Sequence, residues 1–153
     1  MILWNEKDYT KRINSGIFPG TQGGPLMNII AAKAQCFAEA LLPSFMTYID
    51  AVIVNARAMA SVFKKNGYNV VTGGTESHLF LLDLSDKEIS GREAADKLEK
   101  AGITVNKNGV PNDPRSFMET SGIRIGTAAE TTRGRSAYWF ENLAEYMIEV
   151  MEK

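Results

Sequence analysis

Thr104–Thr127 reads TVNKNGVPNDPRSFMETSGIRIGT, and its reading sets the fold class. Two β-type runs, Ile103-Thr104-Val105 and Ile123-Arg124-Ile125, bracket a connection with turn signals at Asn108-Gly109, Pro111-Asn112-Asp113-Pro114 and Ser121-Gly122. A connection this long without periodicity is uncommon inside a compact domain unless it has a role or is disordered. Its few charges, together with Val110, Phe117 and Met118, argue against disorder. Period-two alternation puts Arg124 on the face opposite Ile123 and Ile125. A guanidinium placed there is either a solvated group on an edge strand or a fixed fork that clamps a carboxylate with two parallel hydrogen bonds, which Lys cannot supply. Gly122 and Gly126 on either side are expected to leave room for a ligand.

Working outward, helical and strand patterns alternate on both sides of this stretch. Upstream, His78–Leu84 (HLFLLDL) reads as a mostly buried strand, and Tyr68–Thr72 as another joined to it through Gly73-Gly74. Ser90 and Glu93 have the spacing of a capping box that opens a helix through Lys100. Ser44–Asn66 carries Phe45, Tyr48, Ile49, Val52, Ala56, Met59 and Phe63 on one connected stripe and reads as a long amphipathic helix. Leu26–Leu42 is apolar on more than one face, which predicts a helix buried on several sides, with Cys36 as a small core residue. Phe18-Pro19-Gly20-Thr21-Gln22-Gly23-Gly24-Pro25 reads as a loop running into a helix start, where backbone N–H groups can approach an anion or simply form a turn. Ile2-Leu3-Trp4 reads as the end of a strand, Glu6–Asn14 as a short helix, and Ser136–Glu152 as a last amphipathic helix. The order predicts an α/β fold, a small sheet covered by helices.

Composition narrows the function classes. The 153 residues carry 17 basic and 18 acidic side chains with no basic block, which argues against nucleic acid or an acidic membrane surface as partner. The single Cys36 cannot form an internal disulfide, which fits a reducing, cytoplasmic setting. No apolar run reaches membrane-spanning length. His78 is the one histidine, so no metal site is expected.

Several segments, in this order, carry a resemblance: Asn14-Ser15, Phe18–Met27, Ala31-Ala32-Lys33-Ala34, Gly73-Gly74-Thr75, Thr104–Asn108, Pro111–Ser116 and Thr120–Thr127. Together they resemble the C-terminal part of serine hydroxymethyltransferase, a pyridoxal-phosphate enzyme of aspartate-aminotransferase-like fold, over essentially the whole chain. The resemblance implies that Arg124 binds the α-carboxylate of serine or glycine. It also implies that the backbone at Gly23 and Gly24 reaches the cofactor phosphate, and that Asn108 and the loop through Ser116 line a tetrahydrofolate pocket. Residues 1–25 would then be a remnant of the large cofactor domain, 26–66 the long helices linking the domains, and 67–153 the small C-terminal domain. Asn28, Phe117-Met118-Glu119 and Ala128-Ala129 depart from the family's usual His, Pro-Phe-Val and Pro-Ala.

The family's cofactor-binding lysine follows a histidine, and no His-Lys pair occurs in this chain. No catalytic residue is therefore expected here, and the chain alone is expected to be inactive: a fragment, a separate domain or half of a split enzyme. It would act by associating with an N-terminal portion or as a homo-oligomer. The alternative is a non-catalytic remnant that serves only as a protein-interaction module. In either case Ile2, Leu3, Trp4 and the Leu26–Leu42 helix are expected to present exposed apolar surface.

Overall fold

The computed structural model describes residues 2–153. Contacts divide the chain into two units, Met1–Leu42 and Pro43–Lys153. The long helix therefore belongs with the sheet, whereas the sequence reading set residues 26–66 apart as a linking segment.

In the first unit, α1 (Lys7–Ser15) runs into a wide helical turn, Gly16–Thr21, and α2 spans Met27–Ala40. The turn takes the place of the loop expected at Phe18–Thr21. It is closed by Gln22 N–H donating to the Ile17 carbonyl at 2.7 Å and interrupted by extended backbone at Phe18. The expected strand at Ile2–Trp4 does not form; the Trp4 indole N–H instead donates to Thr10 Oγ1 at 3.0 Å. Helix α2 buries none of its side chains, so the prediction of a helix buried on several sides is wrong. Cys36 is likewise exposed rather than core. Leu26, Met27, Ile29, Ile30 and Phe37 are exposed too, as are Ile2, Leu3 and Trp4, in line with the expected apolar surface.

The second unit is a two-layer α/β sandwich. Its elements are α3 (Pro43–Lys65), β1 (Asn69–Val70), β2 (Leu79–Asp83), α4 (Gly91–Lys100), β3 (Asn106–Asn108), β4 (Gly122–Gly126), α5 (Ala128–Thr132) and α6 (Ala137–Glu152). The sheet order is β1-β2-β4-β3, every pair antiparallel. Val70, Phe80, Leu82, Ile123 and Ile125 point to one face and are buried against Met59 and Phe63 of α3, Ala94 and Leu98 of α4, and Phe140, Ala144 and Met147 of α6. Each fully buried side chain of this size contributes about 1.5–3 kcal/mol. Alternation sends Leu81, Arg124 and Asn106 to the other face.

Local chemistry explains the boundaries of α4. Its N-terminus has the capping box read from sequence: Ser90 Oγ accepts from Glu93 N–H, and the Glu93 carboxylate accepts from Ser90 N–H. These bonds hold the Glu93 carboxyl below its ordinary range. At the other end Gly102 has φ 81, with its N–H donating to the Glu99 carbonyl and Ile103 N–H donating to the Leu98 carbonyl, a Schellman closure. Ile103 is thus committed to ending the helix. The strand expected at Ile103–Val105 begins three residues later, on polar residues suited to a sheet edge.

Gly91, the first residue of α4, lies against the start of β4. A Cβ there would meet the Gly122 carbonyl oxygen at 2.3 Å and Thr120 Oγ1 at 2.5 Å. Gly91→Ala gains about 1 kcal/mol of helix propensity but forces backbone apart, which costs about 1–3 kcal/mol. The contact is with main chain that has no rotamer to escape into, so the clash wins. We expect a lower urea midpoint for Gly91→Ala, and a midpoint equal to or above wild type would contradict this packing. Hydrogen exchange should be slow at Val70 and Leu81 and fast before Pro25; equal protection of both regions would contradict the two-unit division.

Candidate functional site

Arg124 sits at the centre of β4, paired with Leu81 on one side and Asn106 on the other. Ile123 and Ile125 are buried while Arg124 is exposed, as alternation requires. Its Nη2 donates to Asn106 Oδ1 at 3.3 Å, and among the described residues no carboxylate lies within ion-pair distance. An interior-strand position fixes its Cα, and one amide neighbour orients the fork without neutralising it. Such a group is ready to receive a carboxylate in two parallel bonds.

Asn108 of β3 pairs with Gly122 of β4 and shares the face of Arg124, two residue pairs along the ladder. Diagonal neighbours of this kind lie about 7–8 Å apart, a spacing that one small ligand can bridge. The half-buried Asn108 side chain donates to the Gly109 carbonyl at 2.8 Å. Gly122 does not leave room for a ligand. A Cβ there would meet Val110 Cγ1 at 2.7 Å and the Leu82 carbonyl oxygen at 2.8 Å, so its missing side chain makes space for this chain's own loop. Around Gly126 the nearest such contact is 3.7 Å, to a backbone oxygen.

Ser116 lies on the exposed part of the Val110–Ser121 loop, where its carbonyl accepts from the N–H groups of Glu119 and Thr120. No hydrogen bond ties it to Arg124 or Asn108. Gly23 and Gly24 belong to the first unit, in an exposed segment before α2. A Cβ at either would meet nothing within 4 Å, and among the described residues their N–H groups donate to no acceptor. Their backbone is thus open to an acceptor-rich group. His78 is exposed, and among the described residues no cluster of three metal-ligating side chains occurs.

Sequence reasoning gave no role to the residues that hold the loop in shape. The Asp113 carboxylate accepts from Val110 N–H (3.1 Å), Arg115 N–H (2.9 Å) and Ser121 N–H (2.9 Å), tying the two ends of the loop together. Burial raises the carboxyl, but the Ser121 hydroxyl and these three N–H groups outweigh it, so its pKa falls to about 2. The Arg115 guanidinium faces the other way and donates to the Leu84 carbonyl (3.1 Å), the Lys87 carbonyl (2.9 Å) and Ser121 Oγ (3.2 Å). Lys107 Nζ donates to the Met118 carbonyl at 2.5 Å, fastening the far side of the loop to β3. Thr120, 4% exposed, is held at φ 55, a conformation that costs a β-branched residue energy and persists only where surrounding bonds impose it. The available signal was Asp-Pro, since Asp at a turn bonds backbone N–H groups two residues on.

Asp113→Asn puts an amide NH₂ among N–H donors and should lower the urea midpoint at neutral pH without changing the slope. The folded carboxyl sits below its unfolded value of about 3.9, so its contribution is complete above that value and is lost as pH falls toward about 2. The stability gap between wild type and Asp113→Asn should therefore stay constant down to about pH 4 and close below it. A gap that persists unchanged into strong acid would show that the carboxylate charge does not hold the loop.

The family model for serine hydroxymethyltransferase matches residues 4–147. A serine hydroxymethyltransferase of Shewanella pealeana is 55% identical over 148 residues, 97% of this chain and 35% of the relative. One from Legionella pneumophila strain Corby is 53% identical over 153 residues, 99% of this chain and 37% of the relative. Serine hydroxymethyltransferase 2 of Ralstonia nicotianae is 51% identical over 151 residues, 99% of this chain and 36% of the relative. The chain thus spans about a third of the length of the curated relatives it matches. With the matched region covering the loop, the Arg124 strand and both units, the chain belongs to the serine hydroxymethyltransferase family.

Proposed function

We propose that this chain supplies the substrate-carboxylate and folate contacts of a serine hydroxymethyltransferase, which converts serine and tetrahydrofolate to glycine and methylene-tetrahydrofolate. The observation that carries the reading is the exposed Arg124 fork at the centre of β4, which among the described residues has an amide neighbour and no carboxylate within ion-pair distance. In that role Arg124 binds the amino-acid carboxylate in two parallel bonds and so orients the Cα substituents. Asn108, on the same face, offers an amide to the heteroatoms of the folate. Ser116 offers a hydroxyl from the loop that Asp113, Arg115 and Lys107 hold in place.

Gly23 and Gly24 fit the phosphate of pyridoxal phosphate, because their backbone N–H groups are unengaged and unshielded. When bound, that cofactor supplies the electron sink for bond breaking at the substrate Cα. The lysine that would hold it follows a histidine in the family, and no such pair is present here, so we assign no catalytic residue to this chain. The exposed apolar side chains around α2 are where the rest of a catalytic assembly, or a second copy, would pack.

The chain alone should show no tetrahydrofolate-dependent serine cleavage. Mixed with the part of the Shewanella pealeana relative that it does not match, it should restore turnover. In that assembly Arg124→Lys keeps the charge but loses the fork, at a cost of about 1.5–3 kcal/mol. Serine affinity should therefore fall by about tenfold or more with cofactor uptake nearly unchanged. Equal serine affinity for the two proteins, measured by titrating cofactor absorbance, would show that Arg124 is only a surface arginine.

A further inference from the structure

Along the β1 edge of the second unit, the connection between β1 and β2 crosses the last turns of α3. Arg57, Ser61, Lys64 and Lys65 of α3 and the Gly73-Gly74-Thr75 backbone enclose a notch of about 450 Å³. The acceptors at its rim are already used. Lys64 Nζ donates to the Gly73 carbonyl at 2.5 Å, and Arg57 Nε donates to the Thr75 carbonyl at 3.2 Å.

What remains open is almost entirely donors. Among the described residues, the two Nη groups of Arg57, the Lys65 ammonium and the Ser61 hydroxyl have no hydrogen-bond partner, and the N–H groups of Gly74 and Thr75 meet no acceptor. The adjoining part of the cavity is bordered by a single acid, Glu76. Three cations against one carboxylate, with free hydroxyl and backbone donors between them, match a ligand that only accepts.

We propose that this notch binds a phosphate-class dianion, either inorganic phosphate or the phosphate group of a small monoester. Arg57 grips two oxygens through its Nη pair, Lys65 supplies the second charge, and the Gly74 and Thr75 N–H groups with Ser61 Oγ bond the remainder. The site lies at the opposite edge of the sheet from β3, where Asn108 stands, and does not use Arg124.

The test uses the full chain at constant ionic strength, with amide chemical shifts recorded while inorganic phosphate or glycerol phosphate is added. The expected result is saturable shifts at Gly73, Gly74 and Thr75 with a millimolar dissociation constant, weakened by about tenfold in Arg57→Gln and in Lys65→Gln but unchanged in Lys100→Gln. Tighter binding of the monoester would assign the site to an organic phosphate, and tighter binding of inorganic phosphate to the free ion. Undisturbed core amides confirm that each variant is folded, and Arg57→Lys, which keeps the charge, should retain part of the affinity. Shifts reproduced by added sodium chloride, or equal in wild type and both Gln variants, would overturn the proposal.

Discussion

The Asp113 carboxylate is the constraint on which the rest of the site depends. A loop from Val110 to Ser121 has no ladder of its own, and its N–H groups need acceptors wherever it leaves water. One carboxylate accepts from both ends of it, while Arg115 supplies donors to carbonyls that follow β2. The loop thereby closes on itself and is tied to the sheet. Ser121, bonded on both counts, sets the start of β4 and so the register that aims Arg124.

The same economy of space appears in the glycines. Gly91 and Gly122 are small because this chain's own atoms crowd them, the β4 backbone at Gly91 and the Val110 side chain with the Leu82 carbonyl at Gly122, with no room for a Cβ at either position. Gly23 and Gly24 are small with nothing of this chain beside them. The first pair answers to the fold, and the second stays open to whatever the backbone there contacts. Identical residues thus carry opposite meanings, which only their neighbours reveal.

Much of this could be read from residue order. The Ile-Arg-Ile alternation placed Arg124 on the right face, because period two needs only a paired strand to become geometry. The Ser90–Glu93 box was equally local. What failed depended on neighbours far away in sequence. The β3 strand starts late because the Schellman closure of α4 takes Ile103, a choice settled by Gly102 rather than by strand propensity. The apolar character of α2 and Cys36 read as core, yet nothing in the described chain buries them, since hydrophobicity states what a surface favours and not what covers it. Asp113 and Arg115 went unassigned because a carboxylate that gathers three amides looks, in a string of letters, like any turn aspartate.

The role of this chain turns on what Arg124 holds. A crystal structure of the chain assembled with the unmatched part of a relative, with pyridoxal phosphate and glycine bound, would decide it. It should place the glycine carboxylate in two parallel hydrogen bonds to the Arg124 guanidinium, on the sheet face that also carries Asn108. A carboxylate bound elsewhere, with Arg124 turned to solvent or still engaged only with Asn106, would contradict it.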